Sequence, residues 1–156
     1  MLPKETQVQY GFERENGLED VKCIIIHNTS SNLSAKEIED YLRDECLTSQ
    51  GCSYVCDHNE VRQIMPDDWG VYNTGNGKDY SAMYGIAIEI CSNNDDSLYF
   101  EGEAKAIELI KELMNKYNIP RSEIYFHSDF SPRVYCPADI LRIYKTKKNF
   151  LDTFIN

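Results

Sequence analysis

The residues with the clearest chemical potential are two histidines and a cysteine that follow predicted strands. His27 comes directly after Ile24-Ile25-Ile26, His127 comes after Ile124-Tyr125-Phe126, and Cys136 lies nine positions beyond His127. Strand ends are where α/β sheets gather ligands, and two imidazoles with one thiolate suit zinc while leaving a fourth position for water. The three side chains therefore predict a zinc site. The alternative is that each histidine only packs or hydrogen-bonds at its strand end.

A carboxylate in an apolar strand is the second chemical signal. Glu89 interrupts the otherwise apolar run Ile86-Ala87-Ile88-Glu89-Ile90. Burying a carboxylate is costly unless it is paired, hydrogen-bonded or close to a metal. Burial near a cation would prepare Glu89 to act as a general base. Simple strand alternation, which would turn Glu89 to solvent, is the other interpretation.

The composition limits the classes of protein that can carry these residues. The chain has 156 residues, of which 42% are hydrophobic, and this predicts one domain with a real core. Its 26 acidic and 16 basic side chains give a net charge of −10, which argues against nucleic acid or an anionic membrane as a partner. The six cysteines include no CxxC pair and are too few for a disulfide scaffold, so we expect most of them to be buried packing residues. Residues 1–17 form a polar N-terminal lead-in without the apolar segment of a secretory signal, so we expect synthesis in the cytoplasm.

The hydrophobic patterns predict the elements that position these side chains. Short apolar runs predict strands, a Ser34–Glu37 capping box begins a helix that reaches about Cys46, and residues 66–80 form a long polar loop. Strands alternate with helices, and one hairpin interrupts them. The prediction is an α/β fold with a central mixed β-sheet flanked by helices. The predicted strands cover 21–26, 53–56, 61–64, 84–91 and 124–126, and the later helices cover 101–118 and the residues from Ala138.

Three segments together resemble one enzyme family. The run from Ile24 to Ser30 resembles the opening motif of the zinc-dependent N-acetylmuramoyl-L-alanine amidases, which include phage lysozyme-type endolysins and autolysins and are related to peptidoglycan-recognition proteins. Tyr84–Cys91 is similar to the strand that carries the family's catalytic glutamate. His127-Ser128-Asp129 and then Cys136-Pro137 resemble its second histidine and third ligand. The motifs span about 21–143, so we expect residues 1–156 to be a single amidase-like domain without a separate wall-binding domain.

The resemblance implies a role for each matched residue. His27, His127 and Cys136 would bind Zn²⁺ and hold a water of lowered pKa. Glu89 would take the proton from that water as it attacks the carbonyl that joins muramic acid to L-alanine, and would pass it to the leaving amine. Asp129 would either orient His127 or cap a turn.

Two departures from the family's motifs affect catalysis and substrate binding. Family members often carry a lysine two residues before the third ligand, where it helps to stabilise the oxyanion that forms when water attacks the carbonyl. Val134 stands at this position here, so either Arg133 would stabilise the oxyanion or the metal would do so alone. A Trp-His pair usual in the long loop is replaced by Tyr72-Asn73, and Tyr54 stands beside positions where relatives carry a Tyr or His. The predicted substrate-binding residues are Tyr54, Trp69, Tyr72 and Asn73.

Three functions follow from these observations. The first is zinc-dependent cleavage of the bond between N-acetylmuramic acid and L-alanine, either by a phage or prophage endolysin acting on the cell wall after release or by a cytoplasmic enzyme acting on muropeptides. The second is a peptidoglycan-binding protein of the same fold that does not hydrolyse its ligand. The third makes Cys136 a thiol nucleophile paired with His127.

Overall fold

The computed structural model describes residues 10–44 and 50–156. The predicted end of the first helix near Cys46 and most of the N-terminal lead-in lie outside these ranges. The strands are β1 Gly11–Glu13, β2 Cys23–Asn28, β3 Tyr54–Cys56, β4 Val61–Gln63, β5 Trp69–Val71, β6 Gly85–Ile90 and β7 Ile124–Phe126. The helices are α1 Ala35–Asp44, α2 Tyr80–Tyr84, α3 Asp96–Tyr117, α4 His127–Phe130, α5 Ala138–Tyr144 and α6 Lys147–Phe154.

The central sheet has five strands in the order β4-β3-β6-β2-β7. β2 pairs in parallel with both β6 and β7, β3 pairs in parallel with β6, and only β4 is antiparallel. The predicted α/β fold with a mixed central sheet is therefore confirmed. The parallel arrangement places the carboxyl ends of β2, β6 and β7 at one edge of the sheet, which is the edge on which ligands gather.

Apolar side chains cover both faces of the sheet. Ile24, Ile26 and Ile88 face a cluster that includes side chains of α3, α5 and α6, whereas Val55 and Ala87 face a second cluster with α1. Because β2 and β6 are buried on both faces, they have nearly continuous apolar sequences. The aromatic residues of the C-terminal segment pack in the first cluster, and Phe150 is fully buried there.

The long polar loop contains structure that the sequence did not predict. β5 lies within residues 66–80 and pairs antiparallel with β1, which lies in the predicted lead-in. The prediction that both segments are irregular was therefore wrong. Each strand has only three residues, and its partner is more than fifty positions away, so local periodicity had too little chain to detect either one.

Helix ends follow their capping side chains. At α1 the Glu37 amide donates to Ser34 Oγ at 3.2 Å and the Ser34 amide donates to Glu37 Oε2 at 2.8 Å, which confirms the capping box. The helix predicted from residue 101 begins earlier, at Asp96, because the Asp95 side chain caps it. The predicted final helix is two helices, α5 and α6. No helix in the described ranges is long and apolar enough to cross a bilayer.

Candidate metal centre and active site

Sheet register brings His27 and Glu89 side by side. The two residues are paired positions in the parallel strands β2 and β6, so their side chains leave the sheet on the same face. His27 Nδ1 lies 3.9 Å from Glu89 Oε1. Helix α1 covers this face of the sheet. Val55 pairs with Glu89 and Ala87 lies two positions before it, so both side chains point to the same face, and both pack in the apolar cluster that includes α1.

His127 and Cys136 complete a cluster of three possible metal ligands. His127 is the first residue of α4 and directly follows β7, while Cys136 precedes Pro137 and α5. One donor atom from each of His27, His127 and Cys136 lies within 4.8 Å of the others. Cys136 Sγ is 3.7 Å from His27 Nδ1, and the two imidazole centroids are 4.8 Å apart. The three residues that the sequence singled out therefore meet at one point.

Hydrogen bonds to carbonyl oxygens orient both imidazoles. His27 Nε2 lies 3.1 Å from Asn73 Oδ1, and Asn73 Nδ2 donates to the Val71 carbonyl at 3.0 Å, which fixes the orientation of the amide. His127 Nε2 lies 3.3 Å from the Thr74 carbonyl. Because these oxygens can only accept, each Nε2 carries the proton and each Nδ1 presents a lone pair. Both lone pairs are available to a metal.

Burial favours the uncharged forms of these side chains. Burial lowers the pKa of His27 to about 3, with His127 adding to the effect, and burial also lowers the pKa of His127. Burial raises the pKa of the Cys136 thiol to about 12, and it raises the pKa of Glu89 to about 7. Neutral imidazoles are the form that binds metals, whereas the thiol must lose its proton on binding.

The donor set fits a zinc ion. Two imidazole nitrogens and one sulfur form a three-ligand set of the kind found in catalytic zinc sites. Glu89 Oε2 is buried without a hydrogen-bond partner among the described residues, which is expensive unless a metal or its ligand water satisfies it. His27, His127 and Cys136 can therefore hold a metal, with Glu89 beside it.

The geometry does not favour Cys136 as a nucleophile. The thiol is buried, its pKa is raised, and its nearest imidazole contact is with His27 rather than with the predicted partner His127. A reactive thiol needs a lowered pKa in an electropositive, accessible setting. The structure therefore favours a metal ligand at this position.

A cleft of about 370 Å³ opens over the cluster. Its rim carries three large exposed side chains: Tyr41 is 48% exposed, Tyr135 66% and Val134 39%. Sequence reasoning did not single out Tyr41 or Tyr135, and only their exposure at the rim indicates a use for them. Large exposed apolar side chains beside a polar centre are typical of a ligand cleft.

The other predicted site residues lie at different distances from this cleft. Asn73 lines it and contacts His27, whereas Tyr72 and Trp69 are absent from its lining among the described residues. Tyr54 also lies outside the lining, and its hydroxyl donates to Asp67 at 2.7 Å. Arg133 is exposed and adjoins Val134 at the rim.

Asp129 caps a turn. Its Oδ2 accepts the Phe126 amide at 2.7 Å at the start of α4 and also pairs with Lys147 at 2.7 Å. The capping alternative for this residue is therefore confirmed, and the orientation of His127 comes from Thr74 instead.

The fold and the site together define a class: an α/β domain that gathers two histidines, a cysteine and a buried carboxylate at the carboxyl edge of its parallel strands. The N-acetylmuramoyl-L-alanine amidase family model matches residues 17–139, and the chain belongs to this family.

Several known proteins are similar to this chain in sequence or in fold. The chain is 25% identical over 134 residues to N-acetylmuramoyl-L-alanine amidase CwlL of Bacillus licheniformis, covering 78% of this chain and 37% of that protein. It is 29% identical over 121 residues to the amidase XlyA of Bacillus subtilis strain 168, covering 76% of this chain and 40% of that protein. A solved mutant endolysin from Bacillus subtilis superposes with a TM-score of 0.83 at 25% identity, covering 100% of this chain and 96% of that one. The chain spans less than half the length of the curated relatives that it matches.

Proposed function

We propose that this chain is a zinc-dependent amidase that hydrolyses the bond between N-acetylmuramic acid and L-alanine in peptidoglycan. The observation that carries the proposal is the convergence of His27, His127 and Cys136, with one donor atom each within 4.8 Å, next to the buried carboxylate of Glu89. Membership of the amidase family supports the choice of bond. The substrate is a peptidoglycan strand or a muropeptide, and the physiological role is that of an endolysin acting on the cell wall.

Glu89 is the proposed general base and acid. A zinc ion bound by the three ligands would supply Lewis-acid chemistry that polarises the carbonyl and acidifies water. Glu89 then removes a proton from the attacking water at the carboxylate oxygen that lacks a partner. The new C–O bond forms as the carbonyl oxygen becomes an oxyanion, and the amide C–N bond then breaks as Glu89 returns the proton to the leaving amino group. Burial raises the pKa of this carboxyl to about 7, which favours its role as a proton acceptor.

The remaining roles in the proposal are positioning and binding. Asn73 holds His27 in the tautomer that presents Nδ1 to the metal. Tyr41 and Tyr135 contact the substrate across the cleft. Arg133 is proposed to stabilise the oxyanion from the loop beside Val134. The substrate contacts at Tyr54, Trp69 and Tyr72 remain predictions from the sequence, since none of the three lines the cleft.

The decisive experiment measures which bond in purified peptidoglycan is cut. Zinc-loaded protein should release new L-alanine amino termini without new reducing ends, and removal of zinc with a chelator should stop the release. Stoichiometric zinc with tight muropeptide binding and no new amino termini would instead identify a binding protein. Activity that persists without metal and is lost on thiol alkylation would identify a cysteine hydrolase.

A further inference from the structure

Glu103 is a buried carboxylate outside the site described above. It lies in α3 and is only 2% exposed, on the face of the helix that packs into the core with Ala106 and Ile110. Its two oxygens accept hydrogen bonds from two phenols, at 2.9 Å from Tyr99 Oη and at 2.6 Å from Tyr144 Oη. An apolar residue of similar size would fill this space with a smaller desolvation cost, so stability alone does not explain a carboxylate here.

The two phenols connect this carboxylate to both ends of α5. Tyr144 is the last residue of α5. Tyr99 Oη accepts from Asn28 Nδ2 at 3.3 Å, and Asn28 Oδ1 accepts the backbone amides of Asp139 at 2.9 Å and Ile140 at 3.2 Å in the first turn of α5. The network therefore holds the helix at its beginning and at its end.

The beginning of α5 is the point that sets the third ligand. Cys136 is separated from the helix only by Pro137, whose side chain provides no cap for the first amides. Asn28 provides that cap from β2, where it directly follows His27. The Asn28 carbonyl also accepts a long contact of 4.0 Å from Cys136 Sγ. Any shift of α5 relative to β2 would move the sulfur away from the imidazole.

We propose that Glu103 is a positioning residue for the metal centre: through Tyr99 and Asn28 on one side and Tyr144 on the other, it fixes α5 and so holds Cys136 Sγ beside His27. A fully satisfied buried network permits one arrangement of its members, and residues beyond the ligands set metal affinity in this way. The inference rests on the proposed metal site but not on the reaction that the site catalyses.

The first test compares zinc affinity, measured by competition with a chromophoric chelator. Glu103→Ala should weaken zinc binding by about ten-fold or more, as loss of an outer-shell group typically does. Glu103→Gln keeps an acceptor for Tyr99 and a donor toward Tyr144, so its affinity should stay within about three-fold of the parent. Leu113→Ala, which makes a cavity at a buried position of the same helix, is the matched control and should leave affinity unchanged.

The second test needs no metal. In the apoprotein, Glu103→Ala should speed hydrogen exchange of the Asp139 and Ile140 amides by about ten-fold or more, since their acceptor loses its support, while β2 amides keep their protection. Equal loss of affinity in Leu113→Ala, or unchanged affinity and exchange in Glu103→Ala, would overturn the inference. If the parent protein binds zinc but cuts no amide bond, only the proposed reaction fails. If it binds no zinc, the proposed site fails and this inference fails with it.

Discussion

At the scale of single residues, Glu89 shows how one position acquires a chemical role from its neighbours. An isolated glutamate in water has a pKa near 4.3 and is a weak base at neutral pH. Here burial raises the pKa to about 7. Oε1 lies 3.9 Å from Nδ1 of the proposed ligand His27, and Oε2 is buried without a hydrogen-bond partner among the described residues. The side chain is only 23% exposed, so the interpretation of this strand that turned Glu89 fully to solvent was wrong.

Replacing Glu89 by glutamine should separate catalysis from metal binding. The amide keeps the shape of the side chain but cannot accept the proton from water, so we expect kcat to fall by about 10²–10⁴-fold. Zinc content, measured by elemental analysis, should stay at about one ion per chain, because Glu89 is not among the three proposed ligands. Full activity in Glu89→Gln would show that another group moves the proton.

Asn73 is expected to act on the metal through His27. Asn73→Leu removes the acceptor for His27 Nε2 and should weaken zinc affinity by about 10–100-fold. Asn73→Asp retains an acceptor and should bind zinc more tightly than the leucine variant. Chelator competition checks both variants, and equal affinity in all three proteins would contradict the role of Asn73 in orienting the imidazole.

At the scale of elements, Arg14 joins β1 to the segment that leads into β6. Its guanidinium is buried and donates to four backbone carbonyls: those of Asp67 at 3.0 Å, Ala82 at 3.4 Å, Met83 at 2.5 Å and Gly85 at 2.6 Å. These carbonyls include the end of α2, where a cation is favoured. One side chain thereby fixes the start of the strand that carries Glu89.

Arg14→Met should therefore be strongly destabilising. It leaves buried carbonyls without donors, and we expect the free energy of unfolding to fall by about 2–4 kcal/mol, measured by urea denaturation. Arg14→Lys is the matched variant, and it should recover only part of the loss because a single ammonium cannot reproduce the planar fork of five donors. A methionine variant as stable as the parent would rule out this anchoring role.

Glu103 should also leave a signature in the pH dependence of stability. Burial raises its pKa in the folded protein, and Tyr99, Tyr144 and Asp139 are the titratable groups that face it. Above about pH 4.3 the carboxyl of Glu103 has lost its proton in the unfolded chain but keeps it in the folded protein. The free energy of unfolding therefore falls as the pH rises toward the pKa of the folded protein, by at most about 1.4 kcal/mol per pH unit. Over this pH range, the free energy of unfolding should fall in the parent relative to Glu103→Gln, as measured by urea denaturation at several pH values. The same pH dependence in both proteins would contradict a raised pKa of Glu103.

At the scale of the whole molecule, the candidate metal centre lies at the edge of the apolar core. Apolar clusters cover both faces of the sheet, and the ligands come from β2, α4 and the residue pair before α5. A metal bound by the proposed ligands would join these three segments. It would stabilise the fold by an amount that grows with the logarithm of the metal concentration relative to Kd, provided that it binds the folded state only.

Chelation should consequently lower thermal stability without unfolding the protein. With zinc at about 100 times its Kd, binding contributes about 2.7 kcal/mol, and this increment should disappear in chelator. Circular dichroism should show unchanged secondary structure at 25 °C and a lower Tm. Cys136→Ser should reduce the Tm difference between zinc and chelator, and an unfolded metal-free protein would contradict the expectation.

The sequence by itself determined the elements whose signals are local. Apolar runs located β2, β6 and β7, the Ser34–Glu37 spacing located the start of α1, and the order of residue types around His27, Glu89, His127 and Cys136 indicated the family. These signals are carried by neighbouring residues, because backbone periodicity and capping act over a few positions. They were sufficient for the fold class and for the candidate metal ligands.

Only the tertiary structure decided how distant residues combine. β1 pairs with β5 across 56 to 60 positions, Asn73 contacts His27 across 46, and the network from Glu103 reaches Asn28 through a Tyr99 contact that spans 71. A side chain's partner across such a distance depends on strand register and helix packing, which no local pattern encodes. For this reason a carboxylate on the apolar face of α3 was overlooked, and the residues that orient the metal ligands emerged only from the packed molecule.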